Sequence, residues 1–368
     1  MKKICNIFDT PSFYRYPIHK TIDNTFECLW YFGDYDYKVK TYNPEELKHS
    51  KTLHVVKTFG TNLYFTKGMI SLLFRGNDTY LLVGEPRNIA IWVFATIKKF
   101  FFKKKKLYFW CHGWYGKESR FEAIIKKFVY GSADGIFTYG DYAKQLMVKI
   151  GFDADKIHPI HNSLDYDKQL ELRKSIVPSN IYFNHFNNTN QTIIFIGRLT
   201  EVKRLDMIID AIKGLDSQKE YYNVVFVGDG PMKDKLKKQA EGLSLEERIW
   251  FYGACYDEKK NAELVYNADL CVAPGNVGLT AMHSMMFGTP VISHNCFMWQ
   301  MPEFEAIKPG ITGDFFEYEN TDSLILCISH WFSVNKNKRN LIRQNCFEEI
   351  DNYWNPYYQI EVLKKYLK

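Results

Sequence analysis

Short apolar runs alternate with amphipathic segments along most of the chain. Apolar runs of strand length predict β-strands at 4–8, 28–32, 53–57, 80–83, 107–111, 135–139, 157–160, 192–196, 224–227, 250–252, 270–273 and 290–293. Apolar residues at helical spacing predict helices at 63–73, 88–99, 120–130, 142–150, 204–215, 232–243, 258–267, 280–287, 323–332, 339–350 and 355–367. Because strands and helices alternate, we expect an α/β protein built on parallel, doubly wound sheets.

One polar segment interrupts this alternation. Residues 179–190 are rich in asparagine, and the strand–helix pattern restarts directly after them. A chain of 368 residues has room for two domains of ordinary size. We therefore expect a first domain at 1–178 and a second at 179–351, joined through this segment.

Composition narrows the class of protein. The chain is 46% hydrophobic and 24% charged, which is typical of a globular protein, and its net charge of +6 is too small to favour nucleic-acid binding. Its eight cysteines include no CxxC pair, so we expect neither a disulfide framework nor a metal centre. No apolar run is long enough for a signal peptide or a membrane span, and the expected location is the cytoplasm.

The stretch 274–293 carries the first candidate chemistry. Gly275 and Gly278 form a loop after an apolar strand, and a short helix starts at Thr280. Unpaired N–H groups at Gly278, Leu279 and Thr280 would face the edge of the sheet, where the helix dipole favours an anion. The stretch is either a phosphate seat or an ordinary glycine-rich connection.

A second candidate follows the strand at 192–196. Arg198 and Lys203 flank a loop and a helix start, so both could reach one diphosphate, the first as a planar fork and the second as a point charge. Glycosyl transfer needs such groups because the leaving nucleoside diphosphate gains charge as the sugar bond breaks. Taken alone, the pair could equally be a solvated surface feature.

The stretch 274–293 resembles the donor-binding segment of family 4 glycosyltransferases, which are retaining enzymes of GT-B architecture. Gly278, Gly288, Pro290 and Val291 fit that segment. The two glutamates of the family pattern are absent, because Gly275 and His283 stand in their places. The resemblance implies two Rossmann-like domains facing across a cleft, with a C-terminal helix at 352–368 packing back on the first domain. It leaves the donor sugar and the nucleotide open.

The resemblance also implies roles for individual residues. Arg198 and Lys203 match the diphosphate motif of the family, and His112 matches a strand-end histidine beside the donor sugar, although such a histidine can also be a purely structural polar group. His283 could donate to a ribose hydroxyl or face solvent. The implied donor contacts are Gly197, Gly228, Tyr252, Asn276, Gly278, Leu279, Thr280 and His283. The implied acceptor contacts are Arg15, Trp114, Tyr115 and Lys117.

Two further patterns bear on partners. The Asp-x-Asp matches at 34–36 and 165–167 follow no typical buried strand, so we expect no metal and no cofactor besides the sugar donor. The run Lys98–Lys106 combines six lysines with aromatic residues, which favours contact with an anionic membrane surface. The alternative is a solvated helix end whose phenylalanines pack inward.

Together these features predict a retaining, metal-independent glycosyltransferase of the hexosyltransferase type. It would move a sugar from a nucleotide-diphosphate sugar to a glycan or lipid-linked glycan, in surface polysaccharide biosynthesis, with peripheral contact at the inner face of the membrane. One alternative is a nucleotide- or sugar-binding protein that kept the GT-B fold after losing both glutamates. Another is an epimerase or phosphorylase of similar architecture.

Overall fold

A computed structural model of the chain describes residues 3–35, 39–58 and 61–367. Its strands are β1 Ile4–Phe8, β2 Cys28–Gly33, β3 Ser50–Leu53, β4 Val55–Lys57, β5 Tyr64–Thr66, β6 Thr79–Val83, β7 Lys106–Cys111, β8 Gly135–Thr138, β9 Ile157–Pro159, β10 Thr192–Ile196, β11 Asn223–Val227, β12 Ile249–Gly253, β13 Leu270–Ala273, β14 Val291–His294 and β15 Gly313–Phe316. Its α-helices are α1 Tyr16–Thr25, α2 Ile89–Phe101, α3 Arg120–Tyr130, α4 Asp141–Lys149, α5 Tyr166–Ser175, α6 Ile181–Phe186, α7 Asp206–Ser217, α8 Lys233–Gly242, α9 Glu258–Asn267, α10 Leu279–Met286, α11 Thr321–Asn335, α12 Arg339–Tyr353 and α13 Pro356–Tyr366. The predicted α/β class is confirmed.

The chain divides into two compact units. The first contains residues 1–165 and 355–368, and the second contains residues 166–354. The described part of the first unit forms a seven-stranded parallel sheet in the order β3-β2-β1-β6-β7-β8-β9, with β4 and β5 pairing separately as an antiparallel hairpin. The second unit, described throughout, forms a six-stranded parallel sheet in the order β12-β11-β10-β13-β14-β15.

Helices cover both faces of each sheet, and this explains why the central strands are continuous apolar runs rather than alternating ones. All five residues of β10 are buried, as are all five of β1. In the first unit one face of the sheet packs against α2 and α3 through Phe94 and Val129. The other face packs against α1 and α13 through Ile22 and Leu363.

In both sheets the strand order reverses direction at one place. In the first unit the reversal lies between β1 and β6, and in the second it lies between β10 and β13. Loops leave such neighbouring strands in opposite directions, which opens a crevice at their carboxyl ends, where ligands of α/β proteins bind. A ligand site is therefore expected at the loops that follow these four strands.

Two local predictions in the first unit are wrong. Residues 63–73 are not one helix but strand β5 followed by a 3-10 helix at Ile70–Phe74. The backbone turns between them at Gly68, which has a φ of +83°, and β5 pairs with β4. The strand predicted at 53–57 is interrupted at His54, whose ring contacts the Asp34 carboxylate, so β3 and β4 belong to different sheets.

The segment predicted as a linker is folded. Residues 181–186 form α6, and the Tyr182 hydroxyl donates to the Leu264 carbonyl of α9. The preceding α5 also belongs to the second unit, because Arg173 pairs with Asp351 at 2.7 Å. The chain therefore enters the second unit after Asp165 rather than after 178, and the linker prediction is wrong.

The C-terminal helix α13 lies in the first unit. Its Gln359 side chain donates to the His161 carbonyl at 2.9 Å and accepts from the Ser163 hydroxyl at 2.7 Å. The Tyr108 hydroxyl of β7 donates to the Tyr366 carbonyl at 2.8 Å. No helix in the described ranges is both long enough and apolar enough to span a bilayer.

Candidate functional site

The loops after β10 and β11 approach each other closely at the carboxyl edge of the second sheet. The Gly197 N–H donates to the Val227 carbonyl at 2.9 Å. A Cβ on Gly228 would overlap the Gly197 carbonyl oxygen and lie 2.9 Å from its carbon, and Gly228 has a φ of +153°. Gly228 therefore allows a backbone contact that a side chain would prevent, and Gly197 has a φ of +148°, which favours glycine.

Lys203 links the loop after β10 to the loop after β13. Its Nζ donates to the Asn276 carbonyl oxygen at 2.6 Å and to Asn276 Oδ1 at 2.8 Å. Burial lowers the pKa of Lys203 to about 8, because removing the ammonium from water disfavours its charged form. The amine is thus held directly before α10, at the switch point of the sheet, which is the place between β10 and β13 where the strand order reverses.

Arg198 has a different environment. Its side chain is exposed, and its guanidinium makes no hydrogen bond or ion pair with the described residues. An exposed arginine without an internal partner keeps its five donors available for an anionic ligand. The structure therefore places one bound amine and one uncommitted guanidinium on the same loop.

The start of α10 is anchored by side chains rather than capped by them. The Thr280 hydroxyl donates to the Ile196 carbonyl at 2.9 Å, which ties the helix to the end of β10. The N–H groups of Gly278, Leu279 and Thr280 have no acceptor in the part of the chain that the structure describes. Three unpaired N–H donors at the start of a helix, beside Lys203, can bind an anion.

A polar network behind this seat was not predicted from the sequence. The Val277 N–H donates to Gln300 Oε1 at 2.9 Å, and Gln300 Nε2 donates to the Ser293 hydroxyl at 2.7 Å. Ser293 in turn donates to the Ala273 carbonyl at 2.8 Å. Gln300 follows a 3-10 helix and belongs to no local motif, so its role appears in the folded structure and has no signal in the sequence.

Gly275 has no space for a side chain. A Cβ there would overlap the Val202 carbonyl oxygen and lie 2.7 Å from the Lys203 Cα. The Gly275 N–H also donates to the Lys203 carbonyl at 3.0 Å. Because the obstructing atoms belong to the backbone, no rotamer change relieves the overlap. The first missing glutamate is therefore incompatible with the position of the Lys203 loop.

His283, at the second missing glutamate, faces α9. Its Nε2 lies 3.8 Å from Glu258 Oε2, and neither atom has a hydrogen-bond partner among the described residues. Burial lowers the pKa of His283. Glu258, which was not among the predicted site residues, begins α9 after the Asp257 cap and brings a carboxylate beside His283. The last predicted donor contact, Tyr252, is half-buried near the end of β12, with its ring 5.0 Å from that of Trp250.

The first unit has its own cavity at the switch point between β1 and β6. It measures about 530 Å³ and is lined by loops after β1, β6 and β7. Arg15 donates to the Tyr14 hydroxyl at 3.1 Å and to the Tyr139 hydroxyl, and its guanidinium lies 5.7 Å from the ring centroid of Trp110. Arg15 forms no ion pair with any described residue.

His112 lies in the same cavity. Burial, together with the charge of Arg15, lowers the pKa of His112 to about 4, so the ring is neutral near neutral pH. Its Nδ1 is buried and has no partner among the residues described. Tyr115 also lines the cavity, with its ring 5.9 Å from that of His112.

The other two predicted acceptor contacts lie elsewhere. Trp114 is 7% exposed and belongs to the apolar core beneath the sheet, so its ring is a packing element. Lys117 is exposed, with its Nζ 5.5 Å from the Tyr115 ring centroid, and it does not line the cavity. The sequence of this short loop has no periodic pattern that shows which of its side chains face the cavity and which face the core or the solvent.

The Asp-x-Asp matches are not assembled into a visible metal centre. Asp36 lies outside the described residues, and Asp34 is held by His54 and by the Val55 N–H at 2.6 Å. Within the described ranges, no cluster of three or more histidine, cysteine, aspartate or glutamate side chains is arranged to hold a metal ion.

The basic run is divided between buried and exposed lysines. Lys98 is buried and pairs with Asp134, and Lys106 contacts the same carboxylate at 3.3 Å. Lys105 donates to the Asn77 carbonyl. These three lysines therefore stabilise the first unit, whereas Lys99, Lys103 and Lys104 are exposed.

Comparison with known proteins identifies the fold. Residues 179–346, all in the second unit, match the family model described as glycosyl transferases group 1. Over 245 residues the chain is 25% identical to an uncharacterized 41.2 kDa protein in the cps region of Klebsiella pneumoniae, covering 64% of this chain and 63% of that protein.

A second relative matches over a shorter region. A GDP-mannose-dependent alpha-(1-6)-phosphatidylinositol dimannoside mannosyltransferase of Mycobacterium tuberculosis is 33% identical over 107 residues, which is 28% of this chain and 27% of that enzyme. The chain thus spans less than two thirds of the length of either curated relative.

Among solved structures, HepE of Anabaena in complex with UDP superposes with a TM-score of 0.73 and 16% sequence identity, over 100% of this chain and 99% of that one. The chain therefore has the GT-B glycosyltransferase fold, and its match to the glycosyl transferases group 1 family lies within the second unit.

Proposed function

We propose that the protein is a retaining, metal-independent glycosyltransferase of the hexosyltransferase type. It moves a sugar from a nucleotide-diphosphate sugar to a glycan or lipid-linked glycan in surface polysaccharide biosynthesis, in the cytoplasm and without a further cofactor. The observation that carries this proposal is that the Lys203 amine lies beside the unpaired N–H groups of α10 where the strand order of the second sheet reverses, with the exposed Arg198 on the same loop as Lys203.

This arrangement suits a leaving diphosphate. The uncommitted Arg198 guanidinium binds two phosphate oxygens, and the Lys203 ammonium and the helix start add positive charge at a fixed place. Groups that are already oriented toward developing charge stabilise the transition state without reorganising. We propose that these cations do the work that a metal ion does in other transferases.

The cavity of the first unit suits a sugar acceptor. Neutral His112 offers a ring nitrogen without internal partner, and Arg15 offers a guanidinium surrounded by aromatic rings. Charged side chains, among them Asp9, Glu85 and Arg87, also line this cavity, and polar groups in a concave site fix the orientation of a small ligand. We propose that His112 binds a sugar hydroxyl near the reacting carbon and that Arg15 and Tyr115 bind the acceptor.

The relatives support the substrate classes. HepE binds UDP in its crystal structure, and the mycobacterial enzyme is named for GDP-mannose and for a phosphatidylinositol mannoside acceptor. The Klebsiella relative is named for its cps region. These names favour a nucleotide sugar, leave uridine and guanosine as the alternatives for the base, and favour a surface glycan or glycolipid product.

Binding to a panel of UDP- and GDP-sugars, measured by thermal shift, identifies the donor, and transfer of its labelled sugar then tests activity. Arg198→Ala and Lys203→Ala should each lower kcat by about 100- to 1000-fold, because each removes one donor to the transition-state charge. The control is Lys238→Ala, an exposed lysine on α8. Near-normal turnover in either site variant would refute the assignment of the diphosphate site.

Three measurements test the stereochemistry and separate the alternatives. Retention predicts that NMR of the product shows the anomeric configuration of the donor, and inversion would contradict it. A binding protein without catalysis would bind the donor but neither transfer nor hydrolyse it. An epimerase or phosphorylase would convert the donor without acceptor into an isomer or a sugar phosphate, which product analysis detects.

A further inference from the structure

The helical layer on one face of the first sheet presents an apolar surface to solvent. The 3-10 helix Ile70–Phe74, α2 and α3 all pack inward on the same buried cluster, through Leu73, Phe94 and Val129. Their outward side chains are large, apolar and exposed: Phe74 67%, Phe100 63%, Phe101 79%, Phe121 70%, Ile124 67% and Phe128 51%. We call these six residues the apolar face. Single exposed apolar residues are common in proteins, but a group on neighbouring segments marks an interaction surface.

On α3 the exposed residues form a regular stripe. Phe121, Ile124 and Phe128 follow one another at intervals of three and four, so they share one side of the helix. The inward side carries Val129 and Tyr130, which are buried. Both long sides of α3 are thus apolar, whereas a helix that faces only water has a polar outer side.

The residues around the apolar face are mostly basic. Besides the three lysines that contact Asp134 or Asn77, the basic run has three exposed lysines, Lys99, Lys103 and Lys104, which have no partner in the described ranges. The exposed cations on these segments are Arg75, Lys99, Lys103, Lys104, Arg120 and Lys127. Lys126 lies between two carboxylates, 2.9 Å from Glu118 and 3.1 Å from Glu122, so one negative charge remains there beside the six exposed cations.

We propose that the apolar face binds an anionic lipid bilayer, with its aromatic rings entering the interface and the surrounding cations contacting the headgroups. Exposed apolar side chains with adjacent lysine and arginine are the combination that such surfaces select. A second copy of the chain is a poorer occupant, because symmetric pairing would bring the same cations together. An acidic protein surface remains the competing partner that the experiment must exclude.

The position of α3 connects this surface to the candidate acceptor cavity. Glu122 and Lys126 of α3 line the cavity that contains Arg15 and His112, while Phe121 and Ile124 of the same helix are exposed. A lipid-linked acceptor held in the bilayer would therefore lie beside the cavity. This consequence rests on the proposed function, whereas lipid binding itself does not.

The test is flotation of the full chain with vesicles of phosphatidylcholine alone or mixed in equal amounts with phosphatidylglycerol, at low and high salt. We expect binding to the anionic vesicles that weakens at high salt, since salt screens the headgroup attraction. Replacing Lys99, Lys103 and Lys104 with serine should weaken binding about 100-fold or more. Replacing Phe121, Ile124 and Phe128 with serine should abolish it.

The matched control replaces three exposed apolar residues of the second unit, Val177, Phe183 and Leu341, with serine, and should bind like the wild type. Thermal unfolding checks that every variant is folded. The proposal is overturned if the wild type does not float with anionic vesicles at low salt, or if the control loses as much binding as the α3 variant. It is also overturned if the α3 variant merely dissociates an oligomer and leaves lipid binding intact.

Because flotation needs neither donor nor transfer, its result is independent of the transferase activity. Failure of transfer with intact flotation would refute the proposed function alone. Failure of flotation with intact transfer to a soluble acceptor would refute the lipid surface alone.

Discussion

Introducing at position 275 the glutamate of the family 4 pattern that this stretch resembles should damage the site rather than improve it. A Cβ at this position overlaps the Val202 carbonyl oxygen and lies 2.7 Å from the Lys203 Cα and 2.8 Å from its carbonyl carbon. Overpacking of a closely packed site typically costs about 1–3 kcal/mol of unfolding free energy. We expect the upper part of this range for Gly275→Ala, and more for Gly275→Glu, since the backbone must move.

This cost can be measured by thermal unfolding. About 2–3 kcal/mol corresponds to a fall in Tm of about 4–12 °C for a domain of this size. Gly242→Ala is the control, because a Cβ there has no heavy atom within 4 Å and the residue ends helix α8. Alanine in that helix should be neutral or stabilising by up to about 1 kcal/mol. If Gly275→Ala unfolds like the wild type and Gly275→Glu gains activity, the steric argument is refuted.

Three further predictions concern the second unit. Nucleoside diphosphate binding should weaken by about tenfold from about pH 7 to about pH 9, because the pKa of Lys203 is lowered to about 8 and only its charged form attracts the diphosphate. The Lys203→Arg variant stays charged, so its affinity for the nucleoside diphosphate, measured by calorimetry, should not change between these pH values. The same pH dependence in the wild type and the variant would contradict the role of Lys203. Glu258→Gln and His283→Gln should each reduce the preference for the bound nucleoside diphosphate over its 2′-deoxy form, because the facing carboxylate and imidazole can bind a ribose hydroxyl. Glu247→Gln, at an exposed glutamate, should keep that preference, and unchanged ratios in all three variants would refute the ribose assignment. EDTA should leave transfer intact, because Arg198 and Lys203 supply the positive charge, and a loss that Mg²⁺ restores would show a metal requirement.

The sequence predicts the central strands of both sheets but misses the edge strands β3 and β15, and the reason is physical. A strand covered by helices on both faces is a short continuous apolar run, such as β10 or β13, and its end is marked by glycine or a polar residue. Elements stabilised by distant partners are harder to predict. The segment 63–73 has apolar residues at helical spacing, yet its first part becomes β5 because β4 offers a partner strand.

The residues of the candidate site likewise fall into those that a local motif predicts and those that only tertiary packing brings to the site. Lys203 and Thr280 were predicted because they stand at fixed positions in local motifs after β10 and β13. Gln300 and Glu258 were not predicted, because each comes from a different part of the chain and reaches the site through tertiary packing alone. The steric reason for Gly275 has no signal in the sequence either, because the obstructing backbone belongs to a loop more than 70 residues earlier.

The two missing glutamates have different structural consequences, and both bear on whether the site has decayed. At position 275, the absence of a side chain lets the Lys203 loop close on the backbone, and Lys203 then holds Asn276 through two hydrogen bonds. At position 283, the lost carboxylate has a counterpart in Glu258, whose oxygen faces the imidazole. The buried Lys203 ammonium forms no ion pair with a described residue, so its charge costs folding free energy that an anionic ligand would offset. The arrangement therefore favours a rebuilt donor site over a binding protein that has lost its chemistry, and donor hydrolysis by the pure protein is the measurement that decides between them.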